Sequence, residues 1–367
     1  MTKINNKFCK LPKGSKLSFG SGGSKCIIAL TGNRAYKYFP SILSPYSETK
    51  TNKSNIKNET KFEIEVNKLL TKKIVKTKLS PHIITYYGDY ICNKKPTFFK
   101  DCPPYSKELL SKNKIGAKCN LITKSYPKIS IAPTYILEME KADNSLENEI
   151  KQISKKPFDK IKIFLDRIFF QIFYTLEQIK LVYPNYQHND LFIRNILTKN
   201  NAYEGKSAGP IPYIRYHYKN MTFDVPANGI SIKLNDFGMN QINSKLNTKH
   251  KLNMLKVIKN PYRDYFAIIY DIYNGSNLGG NSLIKLIRNK SKIKKIDKYF
   301  SKLIDIKNIK KIIKNNKKQH LDRDWNSTYD HKVVKLFGLK KINYYLQKYK
   351  KIYLYNKDNY IIAEYGK

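Results

Sequence analysis

The period of the apolar positions changes along the chain, and each change marks an element. Residues 161–181 (IKIFLDRIFFQIFYTLEQIKL) lack Pro and repeat apolar side chains at helical spacing, which predicts one long buried helix. Ile230–Leu234 alternates apolar and polar side chains and predicts a strand. Near the N-terminus, Lys25–Leu30 and Arg34–Phe39 flank the turn Thr31-Gly32-Asn33, the pattern of a β-hairpin. A glycine-rich turn, Ser18–Ser24, stands in front of it. Residues 59–70 (ETKFEIEVNKLL) predict a helix carrying Glu59, Glu63 and Glu65. Lys199–Gly229 is aromatic and alternating, with Tyr213, Tyr216, Tyr218 and Phe223, so an extra hairpin is expected there. Two polar stretches read as connections. Ser41–Asn58 is expected as a mobile loop, and Asn93–Ser130, with Pro96, Pro103, Pro104 and Pro127, as an irregular excursion. Beyond Ser276 helical patterns recur without suggesting chemistry, and the lone Trp325 reads as a packing residue.

Composition narrows the setting. No apolar run approaches the length of a membrane span, and Met1–Lys7 lacks the apolar core of a secretory signal, so a cytoplasmic setting is expected. The five cysteines (Cys9, Cys26, Cys92, Cys102 and Cys119) include no C-x-x-C pair. Neither a disulfide framework nor a zinc site is expected, and a reducing compartment fits. Lys and Arg total 70 against 28 Asp and Glu, a net charge of +42 that would draw the chain toward nucleic acid or an acidic membrane surface. The excess is in Lys, beside abundant Asn, Ile and Tyr, the residues that an AT-rich genome over-produces. The lysines are spread along the chain, with a local concentration at Lys290–Lys318. Genome bias is therefore expected as the main cause, and polyanion contact as the lesser one.

Two strings carry chemistry. The first is His188-Asn189-Asp190-Leu191-Phe192-Ile193-Arg194-Asn195, of the form H-x-D-L-x-x-x-N; the second is Asp236-Phe237-Gly238. Phosphoryl transfer needs an aligned acceptor hydroxyl, metal ions held against phosphates, and positive charge where negative charge builds up. A carboxylate to meet the hydroxyl, with an amide and a second carboxylate for the metals, answers those needs. The predicted helix precedes the first string and the predicted strand precedes the second. Upstream, Gly20-Ser21-Gly22-Gly23 can bring backbone N–H groups close to phosphates. Lys37 is selected by its place on the strand after that loop.

In this order the strings resemble the protein-kinase superfamily, from about Ser18 to about Gly275. The closest likeness is to the serine/threonine kinases of poxviruses and other large cytoplasmic DNA viruses. His-Asn-Asp in place of His-Arg-Asp, the inserted Tyr213–Gly229 segment and the absence of Ala-Pro-Glu carry that finer resemblance. It implies an α+β, two-lobed kinase-like fold. Residues 1–140 would form an N-lobe with a small antiparallel sheet and one key helix, and residues 141–367 a mainly helical C-lobe. Ser80–Gly88 resembles the turn into the fourth strand, Thr134–Asp143 the fifth strand and adenine hinge, and Asp264–Asp271 the buried helix whose leading Asp anchors the catalytic loop.

The resemblance also implies roles. Asp190 would orient and deprotonate the acceptor, Asn195 and Asp236 would hold Mg²⁺ or Mn²⁺, and Arg194 would offset transition-state charge. ATP would be bound by Gly20, Ser21, Gly22, Gly23, Ile27, Lys37 and Glu140. Glu65, with Val66 and Leu69 behind it, fits best as the partner of Lys37, and Glu63 is close behind. The expected partner is a protein substrate, acidic by charge steering, in the host cytoplasm or the virion. Several positions depart from the family. Lys25 stands at the third glycine position. Phe192 stands where serine/threonine kinases carry a lysine, while Arg194 resembles the arginine of receptor-type tyrosine kinases, so these positions leave serine versus tyrosine open. Asn189 replaces the arginine that reads a phosphorylated activation loop. A pseudokinase acting as a basic scaffold for nucleic acid or virion components is the alternative. A small-molecule kinase ranks last, because those enzymes carry Asp-x-Asp rather than Asp-Phe-Gly.

Overall fold

In the computed structural model the described residues are 3–4, 9, 13–19, 27–40, 50–92, 134–200, 211–242, 262–275, 282–306 and 341–367. They divide into two compact units. One gathers the described residues up to 69 with 84–141 except where the chain is undescribed, and the other gathers 70–83 with those from 142 onward. The loop Gly20–Gly23, Lys25, residues 41–49, Asn93–Ser130 and Trp325 lie outside the described residues.

The first unit is built on a six-stranded sheet of β1 (Lys3–Ile4), β2 (Lys16–Phe19), β3 (Ile27–Thr31), β4 (Arg34–Pro40), β5 (Tyr86–Cys92) and β6 (Thr134–Glu140), in the order β1-β5-β6-β4-β3-β2. All neighbours are antiparallel except β1 and β5. Gly32 and Asn33 close the β3–β4 hairpin, with Gly32 at φ +49°, the left-handed backbone that a two-residue hairpin loop requires. Helix α1 runs Lys50–Leu70. Its first turns occupy residues 50–58, which had been expected as loop. Polar composition suggested a connection, but no Gly or Pro interrupts the segment from 50 to 70 and the helix propagates through it. Phe62, Glu63, Val66 and Asn67 form its buried stripe, and Asn67 Nδ2 donates to the Glu63 carbonyl (2.9 Å).

The expectation of no disulfide does not hold: Cys9 and Cys92 are bonded, with Cα atoms 5.4 Å apart. The reason is long-range. Parallel pairing of β1 with β5 brings the N-terminal segment beside Cys92, which a separation of 83 residues hides from the sequence. Closing a loop of that size removes about 4–5 kcal/mol of unfolded-chain entropy on the polymer model.

The second unit centres on α3 (Phe158–Val182), which follows α2 (Leu146–Ile153), begins after Pro157 and ends before Pro184. Ile168, Phe169, Phe170, Ile172, Phe173 and Leu176 are fully buried along it. The expected hairpin forms from β9 (Tyr213–Tyr218) and β10 (Met221–Pro226). Its inward rings, Tyr216 and Phe223, meet Phe170 at centroid distances of 5.3 and 5.1 Å. A second sheet, ordered β11-β8-β7, comprises β7 (Asn144–Ser145), β8 (Ile196–Asn200) and β11 (Ile230–Leu234). The described helices that follow are α4 (Arg263–Asn274), α5 (Leu283–Leu286), α6 (Lys290–Ser301) and α7 (Lys341–Ile352). Tyr349 and Tyr353 complete the aromatic shell of Phe170. Among the described residues no helix is long and apolar enough to cross a membrane.

One strand was not foreseen. β12 (Ile361–Tyr365) lies parallel to β9 and extends the hairpin to three strands. The next residue, Gly366, sits at φ +84° and donates its N–H to the Lys78 carbonyl (2.8 Å). A Cβ there would collide with the His217 carbonyl oxygen and the Tyr174 hydroxyl. Nearby, His82 is buried and its imidazole is held neutral, its pKa lowered to about 3 chiefly by burial. Its ring nitrogens bond the Tyr216 hydroxyl (2.9 Å) and the Ser231 hydroxyl (3.1 Å). Segment 70–83, the hairpin and the C-terminal strand are therefore one packed assembly. Gly366→Ala should cost about 1–3 kcal/mol through backbone strain and collision. It should appear as a lower Tm in thermal unfolding, and an unchanged Tm would contradict the docking of this tail.

Candidate active site

The loop from His188 to Asn195 is fixed by carboxylates on another helix. Asp264 accepts the N–H groups of His188 (2.7 Å) and Asn189 (3.0 Å), and Asp271 accepts that of Ile193 (2.8 Å). Both acids are buried on α4, and their spacing of seven residues puts them on one face. Each carboxylate satisfies loop donors that burial would otherwise leave costly. Sequence reasoning found Asp264 and missed Asp271; the signal available was two acids seven apart in an otherwise apolar helix.

The two strings meet at their backbones. His188 Nε2 donates to the Asn235 carbonyl (3.1 Å), its ring lies 5.3 Å from the Phe237 ring, and Asn235 N–H donates to the Asn195 carbonyl (3.1 Å). Asp236 and Asn189 hold left-handed backbone (φ 64° and 63°), uncommon outside glycine. The Asp190 carboxylate is gripped from two sides. Arg194 Nη2 donates to Oδ1 (3.2 Å) and Asn195 Nδ2 to Oδ2 (2.7 Å). Burial raises the Asp190 pKa above its ordinary value; Arg194, His188 and the Asn195 hydrogen bond pull it down, and the Asp236 charge pushes it up.

That electrostatic coupling gives Asp190 and Asp236 a common local field. The Asn195 amide nitrogen is spent on Asp190, which leaves its Oδ1 as the atom to face a cation. A carboxylate and an amide oxygen are hard donors, so this pair fits Mg²⁺ or Mn²⁺. Among the described residues no cluster of three or more His, Cys, Asp or Glu forms another candidate metal site.

In the first unit, Lys37 is buried in the middle of β4, and its Nζ lies 2.7 Å from Glu63 Oε1, with both side chains at most 7% exposed. Such a pair fixes a long, flexible ammonium stem in one pose.

No model of a protein family matches the chain. A protein of Acanthamoeba polyphaga mimivirus named "Putative serine/threonine-protein kinase R301" is 30% identical over 325 residues, covering 82% of this chain and 79% of its own. The chain belongs to the protein-kinase superfamily, beside kinases of large DNA viruses. A second mimivirus protein, named "Putative serine/threonine-protein kinase R400", is 35% identical over 104 residues, covering 26% of this chain and 22% of its own.

The expected site residues fare differently. Asp190, Arg194 and Asn195 come together, with Asp236 in the same field. Lys37 pairs with Glu63, not with Glu65. The two glutamates stand about 200° apart around the helix, and Glu63 lies on the buried stripe while Glu65 is half-buried. Glu140 lies at the end of β6, opposite Arg34, with its N–H on the Thr85 carbonyl (2.8 Å) and its carboxylate accepting from the Thr85 hydroxyl (3.0 Å). Ile27 begins β3, and Gly20–Gly23 lie outside the described residues. Asn189 has a cationic neighbour after all: Arg263 Nη1 donates to its Oδ1 (3.4 Å).

Removing one partner of a buried ion pair is costly. Glu63→Gln should destabilise the protein by about 3 kcal/mol, and Glu65→Gln by clearly less, as read from denaturant unfolding. Equal losses would refute the assignment of Glu63.

Proposed function

We propose that this kinase transfers the γ-phosphate of ATP to serine and threonine hydroxyls of proteins. The observation that carries the reading is the Asp190 carboxylate, partly buried yet 25% exposed, gripped by Arg194 and Asn195 in a loop pinned by Asp264 and Asp271. A general base must be positioned and reachable. The choice of serine and threonine rests on the names of the two mimivirus relatives.

In this mechanism the acceptor hydroxyl lies against Asp190. Its proton passes to the carboxylate as the new oxygen–phosphorus bond forms, and the bond from the γ-phosphorus to its bridging oxygen breaks to release ADP. Lys37, held by Glu63, grips the α/β-phosphates. Asn195 Oδ1 and the Asp236 carboxylate would hold the divalent cation, which neutralises phosphate charge. Arg194, bonded to Asp190, keeps positive charge beside the transferring group.

Protonated Asp190 cannot accept the hydroxyl proton, so kcat/KM should fall as pH drops through its raised pKa. Arg194 lowers that pKa, so Arg194→Ala should move the acid limb of the pH–rate profile to higher pH. A limb that stays in place would dissociate Asp190 from it.

The direct test is incubation of the purified chain with labelled ATP, Mg²⁺ and a panel of acidic and basic proteins, followed by phosphoamino-acid analysis. Phosphoserine and phosphothreonine are expected from the parent. Asp190→Asn should lose transfer by about a hundredfold or more while retaining nucleotide binding. Phosphotyrosine as the main product would overturn the acceptor assignment, and an inert parent that binds nucleotide would favour the pseudokinase reading.

A further inference from the structure

Helix α6 buries Ile296, Tyr299 and Phe300 and turns a row of cations outward. Between Lys285 and Lys302 stand eight Lys or Arg and one acid, Asp297, whose carboxylate accepts the Tyr273 hydroxyl (2.7 Å). Lys290, Lys294 and Lys298 recur every four residues, so they stand about 6 Å apart along one side of the helix. All three are exposed, and none makes an ion pair among the described residues. The helix rests on the segment leading into α3. Lys292 Nζ donates to the Ser154 carbonyl (2.7 Å) and Lys295 Nζ lies 6.0 Å from the centre of the Phe158 ring. Lys155 and Lys156, exposed and next in the chain to Ser154, border the same surface.

Genome bias supplies lysines along the whole chain, but it does not arrange them. This stretch of 18 residues carries a net +7, whereas the whole chain carries +42 over 367. The face also lacks any large exposed apolar or aromatic side chain between 285 and 302. A membrane-surface helix needs apolar side chains to insert, and a single-strand site needs aromatic rings for bases to stack on. The phosphate backbone of a duplex needs neither. It presents about one negative charge per 1.7 Å of axis to a straight row of ammonium groups.

We propose that the α6 face binds duplex nucleic acid through its phosphates, without reading sequence. The probes are short duplexes of arbitrary sequence, one DNA and one RNA, titrated with the full chain by fluorescence anisotropy at several salt concentrations. Replacing Lys290, Lys294 and Lys298 together by Gln should weaken binding about tenfold or more near 0.1 M salt. It should also lower the slope of log K against log salt by about 2.7. The triple change to Arg keeps the charge and should bind as the parent does, which separates lost contacts from a misfolded helix. The control triple Lys72→Gln, Lys73→Gln, Lys76→Gln removes equal charge from another exposed stretch and should cost less than about threefold. Equal losses from the two Gln triples would overturn the proposal in favour of diffuse charge. Tighter binding to polyglutamate or anionic vesicles than to either duplex would overturn it as well. Comparison of the DNA and RNA arms identifies the duplex preferred.

Discussion

Asp264 and Asp271 bear the placement of the loop His188–Asn195. A loop of eight residues between a helix and a strand has no ladder of its own, and its N–H groups at His188, Asn189 and Ile193 would be costly to bury alone. Two carboxylates on one face of α4 accept all three. Charge-assisted bonds of this kind are roughly twice as strong as neutral ones, and they are directional. They fix the backbone, and the fixed backbone lets Asn195 reach back to the Asp190 carboxylate at 2.7 Å. The same logic joins the Asp236 segment to the loop through the His188 ring and the Asn195 carbonyl.

Behind that polar layer, α3 supplies rigidity by ring packing. Phe170 is enclosed by rings from the inserted hairpin and from the C-terminal helix, so two segments far apart in sequence share one hydrophobic anchor. Asp166, four residues earlier on α3, is buried and receives the Tyr299 hydroxyl (2.8 Å) together with Lys162 (2.9 Å). The hairpin therefore belongs to the core of its unit. Its alternation of Tyr216, Tyr218 and Phe223 reads as burial in the sequence because that is what the rings do.

What the sequence disclosed depended on distance along the chain. That His188, Asp190 and Asn195 share one ordered loop was legible because spacing within a loop is local, and the 3.6-residue period of α3 is local too. Glu65 was preferred to Glu63 on its apolar backing alone, but both precede apolar residues and only the orientation of the helix against β4 decides for Glu63. Asp271 looked like an ordinary helical charge until its hydrogen bond gave it a partner. The Cys9–Cys92 bond and the pairing of β12 with β9 join residues 83 and more than 140 positions apart, beyond the reach of any local period. Residues 50–58 were misjudged for a different reason: polarity suggested a connection, while the absence of Gly and Pro permitted a helix.

The buried charges of this protein fall into two kinds, and the difference bears on function. Asp264, Asp271 and Asp166 are nearly inaccessible and accept hydrogen bonds from the protein itself, so they hold structure and are closed to any other ligand. Asp190 also has two donors, yet its side chain keeps a quarter of its surface open and its pKa is pushed upward by burial. The two acids on α4 that hold the loop are closed off by the donors they accept, whereas Asp190 keeps an open face. Partial burial raises its basicity, and partial exposure leaves an oxygen within reach of an incoming hydroxyl. Asp236 tightens that balance from the other side, because each negative charge in a shared field makes the other a better acceptor of a proton or a cation. The geometry around Asp190 thus combines order with access, the combination that the proposed general-base role calls for.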